Sequence, residues 1–226
     1  VSEIAENLAA VRERIGAACE RAGRPASEVR LVAASKTVEP ARLAQAVAAG
    51  QTLFGENYVQ EARRKVEALP GATWHLIGHL QSNKAAQAVG LFDLIHSVDS
   101  GHLAAALDRR AGVLGKRQGV LIEVNLAGEA SKTGVAEAEA AELVQLAASL
   151  PHLDLLGLMT MPPFFDEPER ARPYFARLRE LRERLREVTG LPLPELSMGM
   201  SGDYEVAIEE GATLVRVGTA VFGRRD

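Results

Sequence analysis

Short β-rich apolar runs alternate with longer amphipathic stretches along almost the whole chain, and this alternation constrains the fold more than any other feature. Eight runs can be counted, at 29–34, 52–54, 73–77, 94–97, 120–124, 153–158, 195–198 and 214–217. Helical stretches lie between them, near 41–48, 58–68, 82–90, 101–112, 136–149, 171–188 and 203–210. Seven helices joining eight strands is the arithmetic of a closed parallel barrel, the (β/α)8 TIM barrel, which typically takes about 250 residues. The 226 residues present suit a trimmed barrel occupying 1–226 as a single domain. An open doubly wound sheet shares the local pattern. Against it, no Gly-x-Gly-x-x-Gly turn follows the first run, and no Walker-type phosphate loop is present. One extra helix precedes the repeat: Ser2 can cap it, Ile4, Leu8, Val11 and Ile15 share one face, and Gly23-Arg24-Pro25 ends it.

Composition removes several classes of function. A net charge of -4 gives no excess of positive charge for nucleic acid. The longest stretch without a charged residue, 68–83, is 16 residues long and contains Pro70, Gly71, His75 and Gln81, too short and too polar for the roughly 20 apolar residues of a membrane span. A lone Cys19 permits no internal disulfide, and the first residues lack a secretory-signal pattern, so a cytoplasmic location is expected. Among 26 basic residues only five are lysines, at 36, 65, 84, 116 and 132. Such scarcity makes the position of each lysine informative.

In barrels of this kind the chemistry sits at the C-terminal ends of the strands, with phosphate often held after the seventh and eighth. The first run ends Ala33-Ala34-Ser35-Lys36-Thr37, which puts Lys36 at the mouth, where desolvation would leave an amine able to attack an aldehyde. The plainer alternative is a strand-end lysine reaching into solvent. After the seventh run comes Ser197-Met198-Gly199-Met200-Ser201-Gly202-Asp203, and after the eighth Gly218-Thr219. Side by side, two such loops offer backbone N–H groups to an anion, although each alone reads equally as a tight turn or a helix cap. In Leu214-Val215-Arg216-Val217, alternation puts Arg216 on the face opposite the two valines, inside the barrel if the valines pack on the helices. There it needs an acceptor: a carboxylate such as Glu56 or Glu123, or the ring nitrogen of a ligand. An amine, a phosphate cradle and a polar group for a ring together outline pyridoxal 5'-phosphate (PLP).

Other candidates are weaker. Asn57 could donate to the phenolic oxygen of PLP or cap a helix. His75 and His79 span a strand end and lack the acidic residue of a His-Glu-x-x-His zinc site, so no metal is expected. Lys132, in a second Ser-Lys-Thr at 131–133, is either solvated or placed to meet an incoming anion. The Arg-rich segment 169–188 carries Tyr174, Leu178, Leu181, Leu185 and Val188 as an apolar stripe with glutamates among its arginines, the pattern of a solvated outer helix rather than an RNA site.

At these motifs the sequence resembles, over nearly its whole length, the YggS/PROSC family of pyridoxal phosphate homeostasis proteins, whose fold is like the barrel domain of alanine racemase. The matching segments are 31–37 (LVAASKT), 55–61 (GENYVQE), 75–84 (HLIGHLQSNK), 128–134 (GEASKTG), 157–161 (GLMTM), 197–203 (SMGMSGD) and 216–223 (RVGTAVFG). The resemblance implies a Schiff base between PLP and Lys36, phosphate contacts from Ser201, Gly218 and Thr219, help from the loop of Ser197 and Met200, and Arg216 and Asn57 near the ring. It departs from the family pattern only at the C-terminal Arg224-Arg225-Asp226.

A cation at Arg216 would keep the pyridine nitrogen unprotonated and weaken the electron sink that PLP catalysis uses. The related racemases also take a base from a second, β-rich domain, which the 226 residues leave no room for. These points favour a monomeric carrier of PLP, serving PLP-dependent apoenzymes, over robust catalysis. A weak racemase or lyase and a Schiff-base aldolase on a phosphosugar stay open as alternatives.

Overall fold

The structure, a computed structural model, describes residues 2–129 and 133–223. Strands and helices follow in the order α1 (Glu3–Arg21), β1 (Arg30–Ala34), α2 (Pro40–Ala48), β2 (Leu53–Glu56), α3 (Val59–Ala68), β3 (Thr73–Leu76), α4 (Ala85–Val89), β4 (Leu94–Val98), α5 (Gly101–Val113) and β5 (Gln118–Asn125). The chain continues through β6 (Val135–Ala136), α6 (Ala140–Ser149), β7 (Leu153–Met159), α7 (Arg172–Thr189), β8 (Glu195–Met200), α8 (Tyr204–Glu209), β9 (Leu214–Val217) and α9 (Thr219–Phe222). All strand pairings among the described residues are parallel, and eight of the strands close in the order β1-β2-β3-β4-β5-β7-β8-β9. Closure is made where β9 returns to β1, with Val32 opposite Arg216 and Ala33 opposite Val217. This is the expected TIM barrel with its extra first helix. The two-residue β6 lies outside the ring, paired to the end of β5; a two-residue pairing has no periodicity to read in sequence.

Alternation along the strands separates two cores. Facing the helices, Leu31, Ala33, Phe54, Trp74, Ile95, Val120, Ile122, Val215 and Val217 join one large apolar layer. Facing the barrel axis, a much smaller cluster holds Val32, Ile77, Leu94, Leu121, Met159 and Leu214. Gly55 belongs to this inner face, where a Cβ would lie 2.8 Å from Val32 Cγ1 and 2.9 Å from Ile77 Cδ1, so the interior has no room for a side chain there.

The Ser2 hydroxyl caps α1 by accepting from Ala5 N at 3.3 Å, and its buried stripe of Ile4, Leu8, Val11 and Ile15 packs toward α8 and α9. In α7 the buried stripe is Phe175, Leu178, Leu181 and Leu185. Val188 is exposed and Tyr174 only half-buried, correcting both ends of the expected stripe: Phe175 lies three residues before Leu178 and in phase with it, whereas Val188 falls in the last turn, just before the Gly190 cap. The arginines of α7 meet carboxylates, Arg172 with Glu169, Glu209 and Glu210, and Arg177 and Arg184 with Glu137. Among the described residues, no helix is long and apolar enough to cross a membrane.

Candidate functional site

Val32 and Ala34 face the barrel axis, so the next inward position on this strand is Lys36, half-buried at the rim. A cavity of about 500 Å³ opens here, lined among others by Lys36, Thr37, Arg42, Gly218 and Thr219. The pairing of β1 with β9 is what brings an amine from the start of the chain beside a loop from its end. Close approach is necessary at this seam: a Cβ on Gly218 would lie 3.1 Å from the Ala34 carbonyl oxygen. Ser201 reaches across from β8, its hydroxyl accepting from Gly218 N at 3.2 Å and Ala220 N at 3.5 Å. Lys36, Ser201, Gly218 and Thr219 thus surround one corner of the mouth.

One layer deeper, Arg216 is 4% exposed and points inward, as the outward packing of Val215 and Val217 requires. Its Nη1 donates to Ser197 Oγ at 2.6 Å and its Nη2 to the Thr160 carbonyl at 3.0 Å. Neither Glu56 nor Glu123 pairs with it, and among the described residues no carboxylate lies within 4.0 Å of the guanidinium. Burial lowers its pKa to about 10, with Asp203 and Glu123 acting in the opposite direction, so it stays a cation at neutral pH. Because Arg216 can only donate, Ser197 accepts from it and turns its own proton to His96 Nδ1, 2.8 Å away. His96 then carries its proton on Nε2 and donates to His75 Nδ1 at 3.0 Å. These tautomers are inferred from the network. Both imidazoles are held neutral: burial takes His75 down to about 3, and His96 is also far below its usual value. Ser197 is fully buried, and its hydroxyl is occupied in holding Arg216.

The remaining candidates lie in neighbouring parts of the mouth. Asn57 lines a separate hollow of about 370 Å³ with Gly78, His79 and Lys84. The N-cap of α3 is Tyr58, and no side chain caps that helix. A Cβ on Gly78 would lie 2.4 Å from Asn57 O, so glycine is what lets these loops touch. His79 is exposed, with Nδ1 3.6 Å from Asp99 Oδ2. His75 instead faces His96, and among the described residues no group of three potential metal ligands forms. Met200 borders a third hollow, about 590 Å³, with Met161, Phe164 and Glu123. Glu123 is 2% exposed; Thr133 Oγ1 donates to its Oε1 at 2.7 Å, while its Oε2 has no hydrogen-bond partner among the described residues. Burial raises its pKa. Lys132 lies outside the described residues.

Sequence reasoning missed His96, the hold that strand-end Thr160 has on Arg216, and Lys65. The first two act through contacts between strands distant in sequence, which no local pattern reveals. Lys65 did leave a trace: it follows Val59 and Ala62 at intervals of three on the buried side of α3, where a solvated lysine does not belong.

The model of the alanine racemase N-terminal domain matches residues 6–226. The pyridoxal phosphate homeostasis protein of Aquifex aeolicus is 49% identical over 222 residues, covering 97% of each chain. PipY of Synechococcus elongatus, solved with PLP bound, superposes with a TM-score of 0.86 at 42% identity, covering 98% of this chain and all of PipY. An alanine racemase of Clostridium difficile, 14% identical, shares the fold with a TM-score of 0.77 over 57% of its own length. With the barrel, its first helix and near full-length similarity in agreement, the chain belongs to the pyridoxal phosphate homeostasis protein family, built on the alanine racemase N-terminal domain fold.

Proposed function

We propose that this protein binds PLP at the β1–β9 seam and takes part in intracellular PLP and amino-acid homeostasis as a cytoplasmic monomer, with PLP-dependent apoenzymes as its recipients. The observation that carries the proposal is the shared cavity of Lys36, Gly218 and Thr219, with a buried Arg216 beneath it that has no carboxylate partner among the described residues. PLP would supply an electrophilic aldehyde for a primary amine and a phosphate dianion for an anion cradle. Lys36 would provide that amine as a Schiff-base anchor. Gly218, Thr219 and Ser201 would hold the phosphate and Met200, at the end of β8, would border the ring, while Ser197, expected in a loop but buried within β8, would act from beneath by holding Arg216. Arg216, pinned by Ser197 and Thr160, would present a cation toward the pyridine nitrogen, and Asn57 would complete the ring contacts from the β2 side. A fixed cation disfavours protonation of that nitrogen and restrains carbanion chemistry, which suits holding a reactive aldehyde more than transforming substrates.

The test is an absorbance spectrum of the PLP-loaded protein before and after borohydride reduction, with peptide mapping of the reduced product. The pyridoxyl label is expected on Lys36 and should be lost in Lys36→Ala; a label retained elsewhere would remove Lys36 as the anchor. Saturable turnover of an amino acid well above the rate with free PLP would move the assignment to a weak racemase or lyase.

A further inference from the structure

Behind Lys36, on the helix-facing side of the sheet, lies a buried charge cluster that the proposed site does not use. Lys65 is 4% exposed and its ammonium makes three short contacts: 2.6 Å to the Ser35 carbonyl, 2.8 Å to Glu56 Oε1 and 2.6 Å to Glu61 Oε1. The Ser35 hydroxyl donates to Glu56 Oε1, and Thr37 N donates to the same Glu61 oxygen that Lys65 holds. The residues on both sides of Lys36 are therefore tied to one ammonium, directly at Ser35 and through Glu61 at Thr37.

What is tied is a strained turn. Val38 N donates to Ser35 O at 2.9 Å, which makes Lys36 and Thr37 the central residues of a four-residue turn. Thr37 sits at φ 62, in the left-handed region that suits glycine and is a genuine outlier for a β-branched residue. Such a conformation persists only where its surroundings impose it. The Glu61 carboxylate on Thr37 N and the Lys65 ammonium on Ser35 O are the groups that impose it here. A buried ion pair is weak evidence of a contribution to stability, since apolar residues of similar volume often serve as well. Placement explains this cluster better, because its bonds converge on the two peptides that aim Lys36.

We propose that Lys65 and Glu61 are positioning residues that set the direction of the Lys36 amine into the β1–β9 cavity. The proposal rests on Lys36 being the PLP anchor. Glu61 is the informative site, because its side chain is partly exposed and its removal leaves the Lys65–Glu56 pair intact. Glu61→Ala deletes the acceptor for Thr37 N, whereas Glu61→Gln keeps a carbonyl oxygen in its place.

The experiment follows the absorbance change when PLP-free protein is mixed with PLP, with borohydride trapping and peptide mapping at each time point and a melting curve for each variant. Glu61→Ala should slow capture at Lys36 on the order of tenfold, with a melting temperature close to the parent, and Glu61→Gln should restore most of the rate. Capture by Glu61→Ala at the parent rate, with the label lost in Lys36→Ala, would overturn the positioning role alone. A label that survives Lys36→Ala would overturn the anchor and the positioning role together. A loss of rate in Glu61→Ala that Glu61→Gln does not recover would also reject the proposed geometry.

Discussion

Glu56 and Glu123 are both buried carboxyls near the C-terminal ends of barrel strands, on opposite faces of the sheet. Glu56 faces α3, where Lys65 and Ser35 both donate to its Oε1. Glu123 continues the inward-facing register of Leu121 and takes one hydrogen bond, from Thr133, at the edge of a hollow. The Oε2 of each carboxyl has no hydrogen-bond partner among the described residues, and burial raises the pKa of each, but among those residues only Glu56 has a cation in contact to pull it back. Charges outside the barrel wall are thus neutralised as scaffold. Inside the wall, the Glu123 carboxyl borders a hollow with no cation in contact among the described residues.

Breaking the closed side should have the largest effect. Lys65→Met removes the cation from a buried pair and should cost about 3–5 kcal/mol in a denaturant titration, whereas the double variant Lys65→Met/Glu56→Leu should recover much of that loss. A double variant no better than the single one would mean that the cluster is not an isolated electrostatic unit.

The inner face should be revealed by acid. His75 and His96 are neutral in the fold at pH values where the unfolded chain's imidazoles, near 6.5, take protons. A depressed folded pKa gives stability that is present above 6.5 and lost as pH falls toward about 3, the value for His75. The slope should be about 1.4 kcal/mol per pH unit for each imidazole. Melting temperatures measured from pH 7 to 4 should fall less steeply in His75→Gln than in the parent; parallel curves would show that His75 does not carry this dependence.

Glu123 has the opposite sign and a smaller effect. Its raised pKa gives stability that is complete below the unfolded value of 4.5 and lost as pH rises through the folded one. Glu123→Gln removes that loss, so it should stabilise the protein at pH 7 by up to about 1 kcal/mol and have little effect at pH 4. A destabilised Glu123→Gln at pH 7 would instead place a cation near Glu123. Thr37→Gly should have the smallest effect, relieving a left-handed threonine by about 1 kcal/mol offset by greater backbone entropy in the unfolded chain.

The strand and helix alternation was legible because period two and period three to four differ plainly over these lengths, and the inward direction of Arg216 followed from its two valine neighbours. The strand-end position of Lys36 was legible for the same reason. The groups that hold them were not. Ser197, His96 and His75 come from three different strands, and the ion-pair partners considered for Arg216, Glu56 and Glu123, were carboxylates on barrel strands whose facing local sequence did not settle, Glu56 turning out to face α3. Nothing in Ser-Lys-Thr announces a left-handed threonine, because the carboxylate that holds it lies on the next helix but one. In α7 the period and the three leucines were right and the ends wrong, since Tyr174 and Phe175 are adjacent and both apolar enough to begin the stripe.

The seam between β1 and β9 also bears on the order of events during folding. Lys36 and Gly218 are separated by most of the chain and meet only when the last strand docks on the first, so the pocket has the longest loop to close of any strand pairing. During synthesis, no partial barrel lacking β9 can offer the complete cavity, and α1 must wait for α8 and α9 before its buried face is covered. A ligand held at this seam therefore recognises only the finished ring. Its binding energy adds to the stability of the whole closed barrel and none of it favours an open intermediate.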